Sequence, residues 1–310
     1  MMQPQQQQVN QFGRPLPNQE YMNTQPMDPP IQVRMPPQIG DSVQKVLGPR
    51  EGVLIKQTLK GCCCDLLNEF SIHEFEHADA ENAGPEIMFA KESAGCFIRC
   101  LSHFAPGFRE TSYDQWCGAY SEKTESERPK QPEVFLKHEK KCTNGVSCLV
   151  MEGDGGPLRV PCCCMLPYLE TKDVNGVVLG KTQYLCDRYL FVPKYDVMGP
   201  DGTKWYRIRP DTCCGDCCVN CDCSQGGCRG RCCAIPFYLR DLQTNEILPG
   251  ERPGTQAQIT NLFSGLKECV NRENYSVRFP DKATPQQKAT VIGATFLIEM
   301  LHFEQGGTGF

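Results

Sequence analysis

The sequence predicts a mainly antiparallel β domain, closed or nearly so, packed around one apolar helix near its C-terminal end. Three observations predict it. Short alternating or apolar runs are separated by Asn-Gly and Asp-Gly turns, the signature of successive hairpins. One capped apolar run follows the last of them. The first forty residues are too polar and too rich in proline to join a core.

That leading segment, residues 1–40, holds eighteen Pro or Gln residues with only two basic and two acidic side chains. It reads as a disordered tail. Its PxxP at Pro26-Met-Asp-Pro29 and its proline pairs at Pro29-Pro30 and Pro36-Pro37 could dock as a polyproline helix in SH3- or WW-type grooves, or serve as a plain tether. Met1 to Asn10 has no basic n-region and no apolar h-region, so no secretory signal is expected and the cysteines are expected in a reducing compartment.

The domain is expected to fill residues 41–310. Strands are read at Leu66 to Glu76, Glu86 to Lys91, Val134 to His138 and Ser147 to Met151, then at Val178 to Tyr184, Arg188 to Val192 and Tyr195 to Val197. Lys204 to Ile208, Pro236 to Asp241 and Glu246 to Leu248 complete the set. The turns between them are Gly84-Pro85, Asn144-Gly145, Asn175-Gly176, Gly199-Pro-Asp-Gly202 and Gln243-Thr-Asn245. Ser121 to Pro132 reads as an inserted loop. A loose internal echo, in which a hairpin runs into a Cys cluster in each half, suggests two sheets of related layout.

Thr284-Pro285-Gln286-Gln287 has the form of a capping box, with Thr at the cap, Pro at the first helical position and Gln at the third. The helix predicted from Pro285 to about Glu304 is roughly 30 Å long, a length that fits a bilayer or the axis of a barrel. Its uninterrupted apolar stretch, Ala289 to Ile298, is only ten residues, and runs of about 10–14 are more often core helices than membrane spans. Lys288, Thr295, Glu299 and His302 fall on one side at helical spacing. A lipid-facing carboxylate is disfavoured by roughly 2.5–3.5 kcal/mol, so a helix buried in the barrel is expected, with Glu299 paired to the wall.

Cysteine is the most unusual residue: 22 copies, clustered at Cys62 to Cys64, Cys162 to Cys164 and Cys213 to Cys233. Adjacent side chains on a strand point to opposite faces, so a triplet cannot bridge itself. Three uses remain open for these clusters: S-acylation, zinc ligation and ordinary buried thiols. Cys214-x-x-Cys217 and Cys218-x-x-Cys221 have zinc-ligand spacing. Net charge of −5 argues against a general grip on nucleic acid. No G-x-S-x-G, HExxH or Walker pattern occurs and the five histidines are scattered, so a hydrolytic enzyme is not expected.

Several segments in this order carry a resemblance: the Pro-rich start, Arg159-Val-Pro-Cys-Cys-Cys164, Tyr195-Asp196 through Gly202 and Lys204 into a Cys-Cys cluster, Thr255 to Gly265, Asn274 to Pro280 and Val291 to Ile298. From about Phe70 to Glu304 the chain resembles the phospholipid scramblase family. The resemblance implies a twelve-stranded barrel of the tubby type closed around the C-terminal helix. It implies acylation at Cys162, Cys163 and Cys164 and a place on the cytoplasmic face of the plasma membrane. Its activity would be calcium-dependent, ATP-independent, bidirectional movement of phospholipids between leaflets. The family's calcium segment maps to residues 271–282, with Asn271, Glu273 and Asp281 as oxygen ligands. Lys282 occupies the twelfth position, Arg272 and Arg278 add like charge, and no central Gly is present, so calcium binding would be weak; a strand and turn leading to the helix cap remains the other reading. An acylated, membrane-tethered adaptor without transport activity is the second functional reading.

Overall fold

The computed structural model describes residues 41–59, 67–75, 83–95, 110–128, 134–141, 149–151, 158–160, 166–185, 192–213, 218–219, 236–262 and 274–303. A short helix α1 (Asp41–Leu47) leads into β1 (Gly52–Leu59), β2 (Glu69–Phe75), β3 (Ala83–Ser93), β4 (Thr111–Cys117) and β5 (Leu136–Lys140). The hairpin β6 (Leu149–Met151) and β7 (Leu158–Val160) precedes β8 (Tyr168–Asp173), β9 (Val178–Leu185), β10 (Lys194–Met198) and β11 (Lys204–Pro210). A second small pair, β12 (Thr212–Cys213) and β13 (Cys218–Val219), comes before β14 (Pro236–Arg240), β15 (Gln258–Leu262) and β16 (Asn274–Arg278). The chain then enters helix α2 (Pro285–Ile298) and a π-helical turn, Glu299–Phe303.

Twelve strands form one closed antiparallel barrel in the order β1-β16-β15-β14-β11-β10-β9-β8-β5-β4-β3-β2. β1 closes it, with Ile55 opposite Tyr275 on one side and Ile72 on the other. Closure leaves no edge strand in the main sheet. The echo of the two Cys clusters therefore does not mark two sheets; each cluster neighbours a two-stranded pair outside the barrel.

Alternate residues along each strand face inward, and the inward set is the core: Val53, Ile55, Phe70, Ile72, Met88, Tyr113, Leu169, Tyr195, Ile208, Ile259 and Val277 are all buried. α2 fills the barrel. Every residue from Lys288 to Ile298 is buried, and the apolar residues accordingly spread around the helix in place of lining one face: wall surrounds it on all sides. Phe296 stacks on Tyr113 at 4.7 Å and lies 5.3 Å from both the Phe70 and His138 rings. Burying Val291, Ile292, Phe296, Leu297, Ile298 and Met300 contributes on the order of 10 kcal/mol of gross transfer free energy.

The predicted cap is present. Thr284 Oγ1 accepts the Gln287 backbone N–H at 3.3 Å, and Gln287 Oε1 accepts the Thr284 N–H at 2.8 Å. The predicted helix end differs slightly, because the α-helical segment stops at Ile298 and the next five residues widen into the π turn. Close approach to the wall rests on two glycines. A Cβ on Gly293 would lie 2.5 Å from Thr171 Oγ1 and 2.8 Å from His138 Nδ1, and one on Gly180 would press into Thr290.

Among the barrel strands, β1, β4, β8 and β15 were not expected from sequence, nor were β7, β12 and β13 outside the barrel, and Glu246 to Leu248 contributes a single bridge, Arg240 to Ile247, in place of a strand. Arg188 to Phe191 and the Asn144-Gly145 turn lie outside the described residues. Asn274–Arg278 is a strand paired on both sides, the alternative left open for the segment before the helix.

Candidate functional site

The buried polar groups along the barrel axis are the obvious place to look for chemistry. At the entry to α2, the Lys288 ammonium donates to Gly48 O at 3.0 Å, Arg50 O at 2.7 Å and both Glu251 carboxylate oxygens at 3.1 and 2.8 Å. The sequence places Lys288 in a polar stripe, and the fold uses it to fasten the helix to the chain leaving α1.

Halfway along, His138 Nδ1 lies 3.0 Å from Thr171 Oγ1 and Nε2 lies 3.0 Å from Gln115 Oε1. With Oε1 able only to accept, Nε2 carries the proton and Nδ1 accepts from Thr171. Complete burial pushes the imidazole pKa down to about 3, because the low-dielectric interior disfavours its charged form. This histidine is a neutral structural group, not an acid or base poised near neutrality.

Toward the far end the interior becomes polar. Gln57 donates to Asn68 at 3.3 Å, Glu92 accepts from the Asn68 N–H at 3.2 Å and from Thr111 Oγ1 at 3.1 Å, and Lys140 sits opposite Thr111 in the β4–β5 register. Lys140, Glu92 and Glu299 are all essentially inaccessible to water. Thr295 Oγ1 donates back to the Val291 carbonyl at 3.1 Å, the usual fate of a threonine inside a helix. Thr295 and Glu299 therefore face the barrel, as the short apolar run implied; the His302 side chain lies outside the described residues.

The outer wall is dressed with ion pairs. Asp196 binds Arg207 and Lys204, each at 2.9 Å, and Glu139 pairs with Lys137 at 2.9 Å and with Lys172. Phe89 stacks on Trp116 with the Arg128 guanidinium 4.7 Å above the Phe89 ring, while Arg128 also reaches Glu69 at 2.7 Å. The polar interior was hard to find from sequence. Its one signal is phase: His138 and Lys140 share the strand parity of Leu136, and Thr111 shares that of Tyr113.

Several expected site residues fall outside the described set: Cys162, Cys163, Cys164, Asn271, Glu273, Cys214, Cys217 and Cys221, together with the side chain of Cys218. Asp281 is described, exposed and 3.9 Å from the Lys282 ammonium. β16 carries the chain about 13 Å from Asn274 to Arg278, so Asp281 lies across the height of the wall from the point where the chain enters after Glu273. Among the described residues, no group of three or more His, Cys, Asp or Glu could hold a metal ion. No described helix is long and apolar enough to cross a membrane. The only cysteine with a described side chain is Cys117, whose thiol is pushed up to about 11 by burial and is correspondingly unreactive.

No family model matches the chain, and no solved structure matches it. Among curated proteins, phospholipid scramblase 1 of Mus musculus is 24% identical over 159 residues, covering 49% of this chain and 40% of the relative. Phospholipid scramblase 1 of Rattus norvegicus is 24% identical over 159 residues, covering 49% of this chain and 39% of the relative. The aligned part spans about two-fifths of the length of these curated relatives. Over about half of its length the chain is therefore similar in sequence to members of the phospholipid scramblase family.

Proposed function

We propose that the protein works at a phospholipid membrane as a scramblase-like protein, passing phospholipids between leaflets in both directions without ATP. The observation that carries this reading is the likeness to phospholipid scramblase 1 over half of the chain. Acyl chains on Cys162, Cys163 and Cys164 would hold it to the cytoplasmic face of the plasma membrane, since one chain gives only marginal binding and a cluster supplies several. A lipid path in this reading does not run along α2, whose polar residues are turned into the barrel; it uses the outside of the barrel and the bilayer it disturbs.

The second reading, an acylated adaptor whose tail recruits SH3- or WW-type partners, is favoured by one observation: Lys288 fastens α2 inside the wall, where it is not available to insert. Calcium, through Asn271, Glu273 or Asp281, and zinc, through Cys214, Cys217, Cys218 and Cys221, belong to the proposal as modifiers.

Reconstitution decides between the readings. The full chain is placed in vesicles with a fluorescent phospholipid whose outer-leaflet fraction is read by a membrane-impermeant reductant. Transport predicts loss of the protected fraction in calcium that exceeds protein-free vesicles. Equal loss in chelator would remove the calcium role, and no loss in either would leave the adaptor. In cells, replacing Cys162, Cys163 and Cys164 by Ala should move the protein from the membrane to the soluble fraction.

A further inference from the structure

The connection between β4 and β5 holds the inserted segment that the sequence marks out, and its residues 118–128 are strapped to the outside of the wall. Gly118, at φ 116°, turns the chain off β4, and its N–H donates to Ile87 O at 2.8 Å. Glu86 of β3 then accepts the backbone N–H groups of Tyr120 and Ser121 at 2.9 and 3.1 Å, together with the Ser121 hydroxyl. Arg128 fastens the other end. Its Nε donates to Tyr120 O at 3.3 Å and to Lys123 O at 3.1 Å, and its Nη1 reaches Glu69 of β2 at 2.7 Å.

An apolar pair lies at this fastening and faces away from the barrel axis. Phe89 alternates with the core residues Met88 and Ala90, stacks on Trp116 and carries the Arg128 guanidinium over its ring. The two side chains are 1% and 8% exposed. The Trp116 indole N–H is buried with no acceptor among the described residues. A buried donor left without a partner disfavours the closed arrangement, and access of water would remove that cost.

The strap also carries a hydroxyl open to solvent. Thr124 is exposed, in extended backbone at φ −68° and ψ 157°, just before a single helical turn, Glu125–Glu127. Its hydroxyl and its N–H both donate to Glu127 Oε2, at 2.7 and 3.0 Å. Glu127 is the third residue after it, and in the whole chain only Ser71, Thr111 and Thr124 have an acidic residue at that spacing. Ser71 and Thr111 are sealed in β2 and β4 at 2% and 4% exposure. Kinases that select acidic substrates read such a carboxylate with a basic cleft, and the fold leaves them one hydroxyl to reach.

We propose that Thr124 is the acceptor of an acid-directed serine/threonine protein kinase, and that its phosphorylation makes Ser121 a second acceptor and releases the strap from the wall. In each transfer the hydroxyl oxygen attacks the γ-phosphorus of magnesium-bound ATP. The new O–P bond forms as the bond from that phosphorus to the β,γ-bridging oxygen breaks; ADP leaves, and the hydroxyl proton passes to a base of the kinase. On Thr124 the product places a charge of about −2 where a hydroxyl had donated to Glu127. Attraction becomes repulsion, and the turn leading to Arg128 unwinds. Position 124 is the third after Ser121, so the new phosphate supplies the negative charge that Ser121 lacks in the unmodified chain. A phosphate on Ser121 then stands against Glu86 and ends that clamp. Neither step involves a membrane, so the outcome bears on the strap and not on the reading of the barrel as scramblase-like.

The full chain, incubated with an acid-directed serine/threonine kinase and magnesium ATP, tests the acceptor, with phosphate placed by peptide mass spectrometry. Phosphate should enter Thr124 first and Ser121 after it. Glu127→Gln should slow the first step by about tenfold or more. Thr124→Val should take up phosphate at neither position, Thr124→Ser should restore both, and Thr124→Glu should admit Ser121 directly. No phosphate at Thr124 in the wild type would overturn the site, and phosphate at Ser121 in the Thr124→Val protein would overturn the order. Release is read in a Trp205→Phe background, where Trp116 is the one tryptophan left. Double phosphorylation should shift its emission to the red and open it to acrylamide, and a phosphatase should reverse both. Arg128→Ala should give the same shift without a kinase, and in the otherwise native chain the change should be carried by one of the two tryptophans. Unchanged Trp116 emission after complete phosphorylation would overturn the release.

Discussion

Replacing Lys288 by Met tests whether the terminal helix is locked inside the barrel. Methionine keeps the apolar stem but removes an ammonium that holds two backbone carbonyls and a carboxylate. Breaking a fully buried ion pair costs about 3–5 kcal/mol. Glu251 is 26% exposed while Lys288 is 1% exposed, so water can take over part of the carboxylate's needs; the two carbonyls, Gly48 and Arg50, lose charge-assisted bonds. The expected loss is roughly 2–4 kcal/mol. At about 2–4 °C per kcal/mol for a domain of this size, the melting temperature should fall by roughly 4–16 °C. Circular dichroism melts at pH 7 measure it, with a urea titration checking that the slope, and hence the surface exposed, is unchanged. Glu251→Gln alone should cost less, and the double variant should show coupling. A Lys288→Met protein that melts within about 1 °C of the wild type would mean the ammonium is already solvated, and the helix is not where the fold places it.

Gly293→Ala should destabilise by about 1–3 kcal/mol despite the better helix former, since the added methyl meets Thr171 and His138 at 2.5 and 2.8 Å; a stabilised variant in thermal melts would contradict that packing. His138 should impose an acid limit. Its folded pKa is about 3 against an ordinary 6.5, so the unfolded chain takes up the extra proton between those values, and stability that is complete above pH 6.5 drains as pH falls. Two pH units below 6.5 remove about 3 kcal/mol. His138→Gln should flatten this part of the pH profile, and parallel stability curves for the two proteins between pH 4.5 and 7 would count against it.

The helix was legible because its signals are local: a capping box written in four residues and an apolar run too short for a bilayer. The turns of the β8–β9 and β10–β11 hairpins were legible, and there Gly176 and Gly202 take φ of 76° and 84°, although β8 itself was not. β4 and β8 escaped for one reason. A barrel that houses a helix with polar residues must turn polar side chains inward, and β4 and β8 accordingly point Gln115 and Thr171 at the axis, where both meet His138. This erases the apolar alternation by which a half-buried strand is recognised. β1 fails differently, because Leu54 is buried on the outer side as well as Val53 and Ile55 on the inner, giving a continuous run. The Lys288–Glu251 pair and the His138 network join residues 37 and 33 positions apart, and pairings of that span are set by register, not by any short motif.

The order of elements along the chain has a cost during synthesis. α2 is made after all twelve wall strands, yet they have nothing to pack around until it arrives, and β1 cannot close against β16 until more than two hundred intervening residues have left the ribosome. Until then Val53, Phe70, Ile72 and Tyr113 face an empty interior. The nascent chain should thus keep apolar surface uncovered through most of translation, and any lesion that delays the terminal helix should expose more sticky surface than a comparable lesion in a single strand.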